Sequence, residues 1–176
     1  MKRILFLTAS LALMLTCTAT QGAQYLFLAN QSDGRIDNLT VDPNSGALTK
    51  FQSIEMPGNP GAMVFSKDKK HLYVAMQTGV GKERGWGIST LTRDQRQRWR
   101  VIGTAKAPMR APYLAVDATK SFVLAAHCGD GKVTVQRIVN GIVTDEVTDM
   151  HTTEVTAHCI ELDASNRFAY VPHTRP

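Results

Sequence analysis

Short runs in which apolar and polar residues alternate dominate the chain after its first 23 residues. Such alternation places every second side chain on the same face of a β-strand. Beyond the first residues, no long stretch carries the i, i+3, i+4, i+7 apolar stripe of an amphipathic helix. The pattern therefore predicts an all-β protein.

One strand pattern recurs four times along the chain. The aligned segments are YLFLANQ (25–31), HLYVAMQ (71–77), SFVLAAH (121–127) and RFAYVPH (167–173). An alternating run and a polar turn precede each of the last three, and further strand-like runs, separated by turn residues, follow the first three. Each full repeat is therefore predicted to contain four short antiparallel strands.

Four-stranded units repeated at a regular interval of this size indicate the blades of a β-propeller. A β-sandwich is the alternative, since it also has short strands at regular intervals. Nothing in a sandwich, however, requires the same pattern to return with a fixed period. The sequence favours the propeller.

The repeats predict an incomplete ring. If the strands of a blade are lettered A to D from the axis outward, residues 24–57 supply B, C and D, and residues 154–173 supply A and B. Residues 58–107 and 108–153 supply two complete blades. We expect roughly half of a ring, interrupted within a blade, whose exposed sheet edges favour self-association.

The first 23 residues have a different character. Lys2 and Arg3 precede an uncharged apolar run over residues 4–15, and a short stretch of small and polar residues continues to Ala23. This order is typical of a secretory signal peptide, and the apolar run is shorter than the ~20 residues of a membrane-spanning helix. We predict that residues 1–23 are a cleaved signal peptide and that residues 24–176 form a periplasmic or secreted domain with no membrane attachment.

Composition excludes few functions. The chain is 43% hydrophobic and 20% charged, with a formal net charge of +5, which suits a soluble globular protein. The basic residues are scattered and partly lie in the leader, so we predict no nucleic-acid partner. Cys128 and Cys159 remain after cleavage, and an oxidising compartment leaves two alternatives, one disulfide or two free thiols.

A polar side chain ends each of the four aligned segments. These residues are Gln31, Gln77, His127 and His173. Strand B ends at the same mouth of the ring where strand A begins, so they are expected to lie near Arg110 and His158, at the starts of A strands. If the protein is an enzyme, we predict that Arg110 and these four residues bind its substrate. The alternative is that the four are ordinary solvated strand ends.

Histidine and cysteine neighbours raise the question of zinc. His127 and Cys128, with His158 and Cys159, are zinc-ligand types. Neighbouring side chains on an extended strand point in opposite directions, so the pairs do not converge. We predict no metal and no other cofactor.

Three longer segments resemble the repeats of a known family. GAMVFSKDKKHLYVAMQ, APYLAVDATKSFVLAAHCGDGKVTV and AHCIELDASNRFAYVP look like repeats of the seven-bladed lactonase family, which includes propeller-type 6-phosphogluconolactonases. The resemblance covers nearly all of residues 24–176 and implies hydrolysis of a small-molecule sugar lactone. Family members form full rings about twice as long, which implies that this chain is an N-terminal fragment.

The resemblance also assigns a candidate catalytic residue. In the family's His-Pro-His motif the second histidine falls on His158, whereas Thr156 holds the place of the first. It therefore implies that His158 acts as the general base. The family's aspartate after Val-Pro falls on His173. The alternative function is a non-enzymatic exported propeller that binds a partner, or an inactive remnant.

Overall fold

The structure, a computed structural model, describes residues 23–175. Nearly all of the predicted signal peptide lies outside this range. Within it the chain forms thirteen β-strands and one 3₁₀ turn. None of the helical segments in these residues is long and apolar enough to cross a membrane.

The strands form four separate antiparallel sheets, each in chain order. The first sheet contains β1 (Gln24–Asn30), β2 (Arg35–Val41) and β3 (Leu48–Glu55). The second contains β4 (Asn59–Phe65), β5 (His71–Thr78), β6 (Gly85–Arg93) and β7 (Trp99–Ala107). The third contains β8 (Tyr113–Val116), β9 (Phe122–His127), β10 (Lys132–Val139) and β11 (Ile142–Thr152), and the fourth contains β12 (Glu161–Leu162) and β13 (Ala169–Tyr170).

These sheets are the predicted blades, here numbered 1 to 4. Their strand numbers, three, four, four and two, follow the division expected from the repeats. The all-β, partial-propeller prediction is confirmed. The 3₁₀ turn, Gly81–Glu83, lies between β5 and β6.

The core lies between the faces of successive blades. Leu72 and Val74 of blade 2 pack against Ile36 of blade 1. The opposite face of blade 2 places Tyr73 in a cluster with Val123 of blade 3. Because each middle blade is covered on both faces, its second strand, β5 or β9, is nearly continuously apolar. Full burial of each such side chain contributes about 1.5–3 kcal/mol.

The hairpin between strands A and B has the same turn in blades 2, 3 and 4. The amides of Ser66, Asp117 and Asp163 donate to the carbonyls of His71, Phe122 and Phe168 respectively. His71 is therefore equivalent to Phe122, whereas the sequence alignment paired Leu72 with Phe122. The alignment is wrong by one residue from blade 3 onward, and such a displacement moves every side chain to the other face of its strand.

Candidate functional site

A cavity of about 390 Å³ lies where the inner strands begin. It is lined by side chains that include Gln31, Gln77, Arg110 and His158. Four of the six predicted site residues, from four different blades or their connections, therefore surround one space. Their roles remain predictions.

His158 lies at the start of the inner strand of blade 4, between Ala157 and β12. Its backbone amide donates to the carbonyl of Pro172, with an N···O distance of 3.1 Å, and its side chain is exposed. Counted back from the hairpin turns, Gly61 and Pro112 hold the same place in blades 2 and 3 and line the same cavity. Of these three equivalent residues, only His158 can accept or donate a proton.

His127 does not reach the cavity, contrary to its predicted substrate contact. It is fully buried, with Nδ1 2.9 Å from the carbonyl oxygen of Arg110 and Nε2 2.8 Å from Oγ1 of Thr134. Burial lowers the pKa of His127, which favours the neutral ring. Since both ring nitrogens are occupied, His127 supports the backbone of Arg110 instead.

His173 is also absent from the residues that line the cavity. Its side chain is exposed, and its Nδ1 lies 3.0 Å from the carbonyl oxygen of Val155. The one-residue displacement of the sequence alignment explains this placement as well as that of His127, because both residues project from the opposite side of their strands.

Side-chain contacts between strands B and C identify the equivalent residues directly. Asn30 donates to Asp37, the hydroxyl of Ser89 donates to the sulfur of Met76, and His127 contacts Thr134. Asn30, Met76 and His127 therefore occupy one position, and the next residues are Gln31, Gln77 and Cys128. The structural equivalent of Gln31 and Gln77 in blade 3 is therefore Cys128, which is half-buried, and not the predicted His127.

A second cavity of about 520 Å³ adjoins the first and contains residues that the sequence analysis missed. Gln31, Asn59, Gln77, Trp86 and Arg110 line both cavities. His158 lines only the first cavity, here called the inner cavity, and Arg84 lines only the second, here called the outer cavity. Among the described residues, no carboxylate lines either cavity. Two guanidinium groups without a lining carboxylate favour an anionic ligand.

The inner strands of blades 3 and 4 are joined beside the site. The hydroxyl of Tyr113 donates to a carboxylate oxygen of Glu161. This hydrogen bond, burial and the proximity of Cys159 raise the pKa of Tyr113. The phenol therefore stays protonated and links β8 to β12, the strand that follows His158.

The two cysteines in residues 23–175 form no disulfide. Cys128 and Cys159 are both free thiols and half-buried. In residues 23–175, histidine, cysteine, aspartate and glutamate side chains form no group of three or more that could hold a metal ion. The chemistry available at the cavities is that of imidazole, guanidinium, amide, hydroxyl, thioether and indole groups.

Comparison with known proteins gives a family match. A family model described as a lactonase with a seven-bladed β-propeller matches residues 15–174. A 6-phosphogluconolactonase from Pectobacterium carotovorum is 27% identical over 128 residues, which are 72% of this chain and 36% of that protein. The chain thus spans less than half the length of the curated relatives that it matches.

Two solved structures share the fold. A candidate 6-phosphogluconolactonase from Bacteroides fragilis has a TM-score of 0.70 at 15% identity, covering 86% of this chain and 46% of that one. A periplasmic gluconolactonase from Pseudomonas aeruginosa has a TM-score of 0.63 at 17% identity, covering 78% and 42%. At these identities the likeness shows a common fold.

Proposed function

Because the chain belongs to the lactonase family of seven-bladed β-propellers, we propose that its cavities are part of an active site that hydrolyses a sugar lactone, as in a 6-phosphogluconolactonase. The observation that carries the proposal is the shared cavity of His158 and Arg110, with Gln31 and Gln77 beside them. These groups suit acid–base catalysis, stabilisation of negative charge and binding of hydroxyl groups.

The proposed reaction uses His158 as a proton carrier. Its neutral imidazole removes a proton from water, and the resulting hydroxide attacks the lactone carbonyl carbon. Arg110 stabilises the negative charge on the carbonyl oxygen of the tetrahedral intermediate. When the bond from the carbonyl carbon to the ring oxygen breaks, the imidazolium returns the proton to the departing alkoxide. The product is an open-chain hydroxy acid.

The experiment is lactone hydrolysis by the purified chain, measured above the spontaneous rate, with His158→Ala as the test variant. Loss of a general base is expected to lower kcat by about 10²–10⁴-fold. The control is His151→Ala, which removes an exposed histidine from β11, away from the cavities. Equal rates for His158→Ala and the unmodified chain, with both folded by circular dichroism, would contradict the assignment.

We also propose that the protein is exported. The support is the leader pattern of residues 1–23 and the shared fold of a periplasmic gluconolactonase. Expression of the full chain in a Gram-negative host, followed by fractionation and mass spectrometry, tests the proposal. A periplasmic product that lacks the leader is expected, whereas an uncleaved product in the cytoplasm would overturn it.

Self-association is the last part of the proposal, and two uncovered blade faces support it. Leu26 and Leu28 of blade 1 are 40% and 48% exposed, whereas their equivalents in blade 2, Leu72 and Val74, are 1% and 0% exposed against blade 1. At the other end Tyr170 is 60% exposed. We propose that these opposite faces pair between copies as successive blades do within the chain.

A further inference from the structure

The connection between strands B and C is longer in blade 2 than in blades 1 and 3. The equivalent cross-strand pairs are Asn30 with Arg35, Met76 with Gly87, and His127 with Lys132. Residues 31–34 and 128–131 close the hairpins of blades 1 and 3, whereas residues 77–86 close that of blade 2. This longer segment, here called the blade 2 extension, emerges beside the two cavities.

The backbone of the blade 2 extension is fixed at its tip. Gly79 has a φ of +63°, and a Cβ atom there would lie 2.3 Å from the carbonyl oxygen of Glu83. The amide of Glu83 also donates to the carbonyl of Val80, with an N···O distance of 3.1 Å. Only glycine fits such a position without rearrangement. The extension therefore presents Arg84 and Trp86 from a defined turn.

Three residues of the extension contribute to the cavities. Gln77 and Trp86 face each other as a cross-strand pair and line both cavities. Arg84 lies two residues before Trp86 and lines the outer cavity. Arg84 and Arg110 form no ion pair with any described carboxylate. Their guanidinium groups are available for a ligand.

The order of groups along the joined cavities suggests how a substrate would lie. His158 is at the inner end, Trp86 and Arg110 line the shared middle, and Arg84 is at the outer end. An indole face packs well against the C–H face of a sugar, and a guanidinium binds a phosphate or carboxylate through paired hydrogen bonds.

We propose that the blade 2 extension is the element that sets substrate specificity. Trp86 packs against the carbon chain of the sugar lactone. Arg84 binds an anionic group at the end of the substrate remote from the lactone carbonyl. This inference rests on the proposed lactone hydrolysis at His158. Phosphate esters and carboxylates share the required chemistry.

Steady-state kinetics of Arg84→Gln test the proposal, with Lys82→Gln as the matched control. Lys82 carries the same charge on the same exposed turn but does not line either cavity. The substrates are a lactone with a 6-phosphate, a lactone with a terminal carboxylate and neutral gluconolactone. Arg84→Gln is expected to raise KM for an anionic lactone about tenfold more than for the neutral one, as for loss of a charged hydrogen bond, with little change in kcat. The anionic lactone that shows the larger change identifies the group bound.

Two kinetic results would overturn the proposal. One is an equal KM change for neutral and anionic lactones in Arg84→Gln. The other is an equal change in Lys82→Gln, because it would show a general effect of charge.

Equilibrium binding of the open-chain products separates this inference from the proposed function. The unmodified chain is expected to bind 6-phosphogluconate or an aldarate more tightly than gluconate, and Arg84→Gln to lose that preference. If no variant hydrolyses lactone but this preference is present and depends on Arg84, the proposed function fails and the anion site stands. If the unmodified chain binds 6-phosphogluconate, the aldarate and gluconate equally well, the proposed anion site is wrong.

Discussion

The imidazole of His127 holds the backbone of Arg110, a residue that lines both cavities, in place. Its Nδ1 lies 2.9 Å from the carbonyl oxygen of Arg110, and its Nε2 lies 2.8 Å from the hydroxyl of Thr134. Both contacts suit one neutral tautomer, in which Nδ1 donates to the carbonyl and Nε2 accepts from the hydroxyl. A proton added to Nε2 would remove its acceptor, in a place where burial already disfavours charge.

Stability is therefore expected to fall as the solution becomes mildly acidic. Burial lowers the pKa of His127 below its ordinary value of 6.5, and burial also lowers that of His71. Below about pH 6.5 the unfolded chain takes up protons that the folded chain does not, so the free energy of unfolding decreases as pH falls. The slope reaches at most about 1.4 kcal/mol per pH unit for each histidine. Urea unfolding between pH 7.5 and about pH 4.5 measures it.

Carboxylates contribute mainly below this range. Hydrogen bonds from Ser53 and Lys50 lower the pKa of Asp37 to about 2, so most of its contribution to stability is lost below about pH 4. His127→Gln is expected to reduce the slope of the free energy of unfolding against pH. The exposed control His151→Gln is expected to leave that slope unchanged. An unchanged slope in His127→Gln would show that the buried ring does not control the pH response.

A buried hydroxyl gives a second prediction, on contact between blades. Tyr73 is fully buried in blade 2 and donates to the carbonyl of Gly141 in blade 3, with an O···O distance of 3.0 Å. Burial raises the pKa of Tyr73 to about 12, so the hydroxyl remains a donor at ordinary pH. Tyr73→Phe is expected to lower the free energy of unfolding by about 1–2 kcal/mol, measured by urea denaturation. The exposed Tyr170→Phe serves as control, and equal effects would contradict the assigned role.

The blade boundaries were predictable from the sequence, but the register was not. Polar turns such as the one after Ser66 recur and divide the strands correctly. Middle strands such as β5 and β9, however, are buried on both faces, so their apolar residues do not alternate clearly. A displacement of one residue therefore leaves no signal, and the alignment selected His127 where Cys128 is the equivalent of Gln77.

The outer part of the candidate site had no signal in the repeat. Arg84 and Trp86 lie in a connection that differs in length from blade to blade, and a periodic comparison aligns only what the blades share. The usable signal was local: Gly79 and Gly81 mark a turn too long for the simple hairpins, and Arg84 and Trp86 follow within the next five residues.

The tip of the blade 2 extension gives a third prediction. Gly79→Ala would place a methyl group 2.3 Å from the carbonyl oxygen of Glu83 in a left-handed backbone, so the turn must rearrange. We expect an affinity for the open-chain acids reduced about tenfold and a lower melting temperature. Gly81→Ala is the matched control, because Gly81 also has a positive φ, +59°, but has no atom within 4 Å of the added carbon. Equal affinity losses in the two variants would show that backbone strain alone, and not the crowded turn, matters.

The uncovered blade faces give the last prediction, which sedimentation velocity over a range of protein concentrations can check. Leu28→Glu in blade 1 and Tyr170→Glu in blade 4 each place a charge on a face whose blade 2 equivalent, at Val74 or Tyr73, is fully buried. Each is expected to abolish concentration-dependent association, because a buried unpaired carboxylate is strongly unfavourable.

The control for this last prediction is Val80→Glu, at a residue that is 82% exposed on the blade 2 extension and away from both faces. It is expected to associate like the unmodified chain. If the faces pair head to tail, as successive blades do, an equimolar mixture of Leu28→Glu and Tyr170→Glu retains one intact interface and forms a heterodimer. A monomeric unmodified chain at every concentration, or a mixture that stays monomeric, would rule out this mode of pairing.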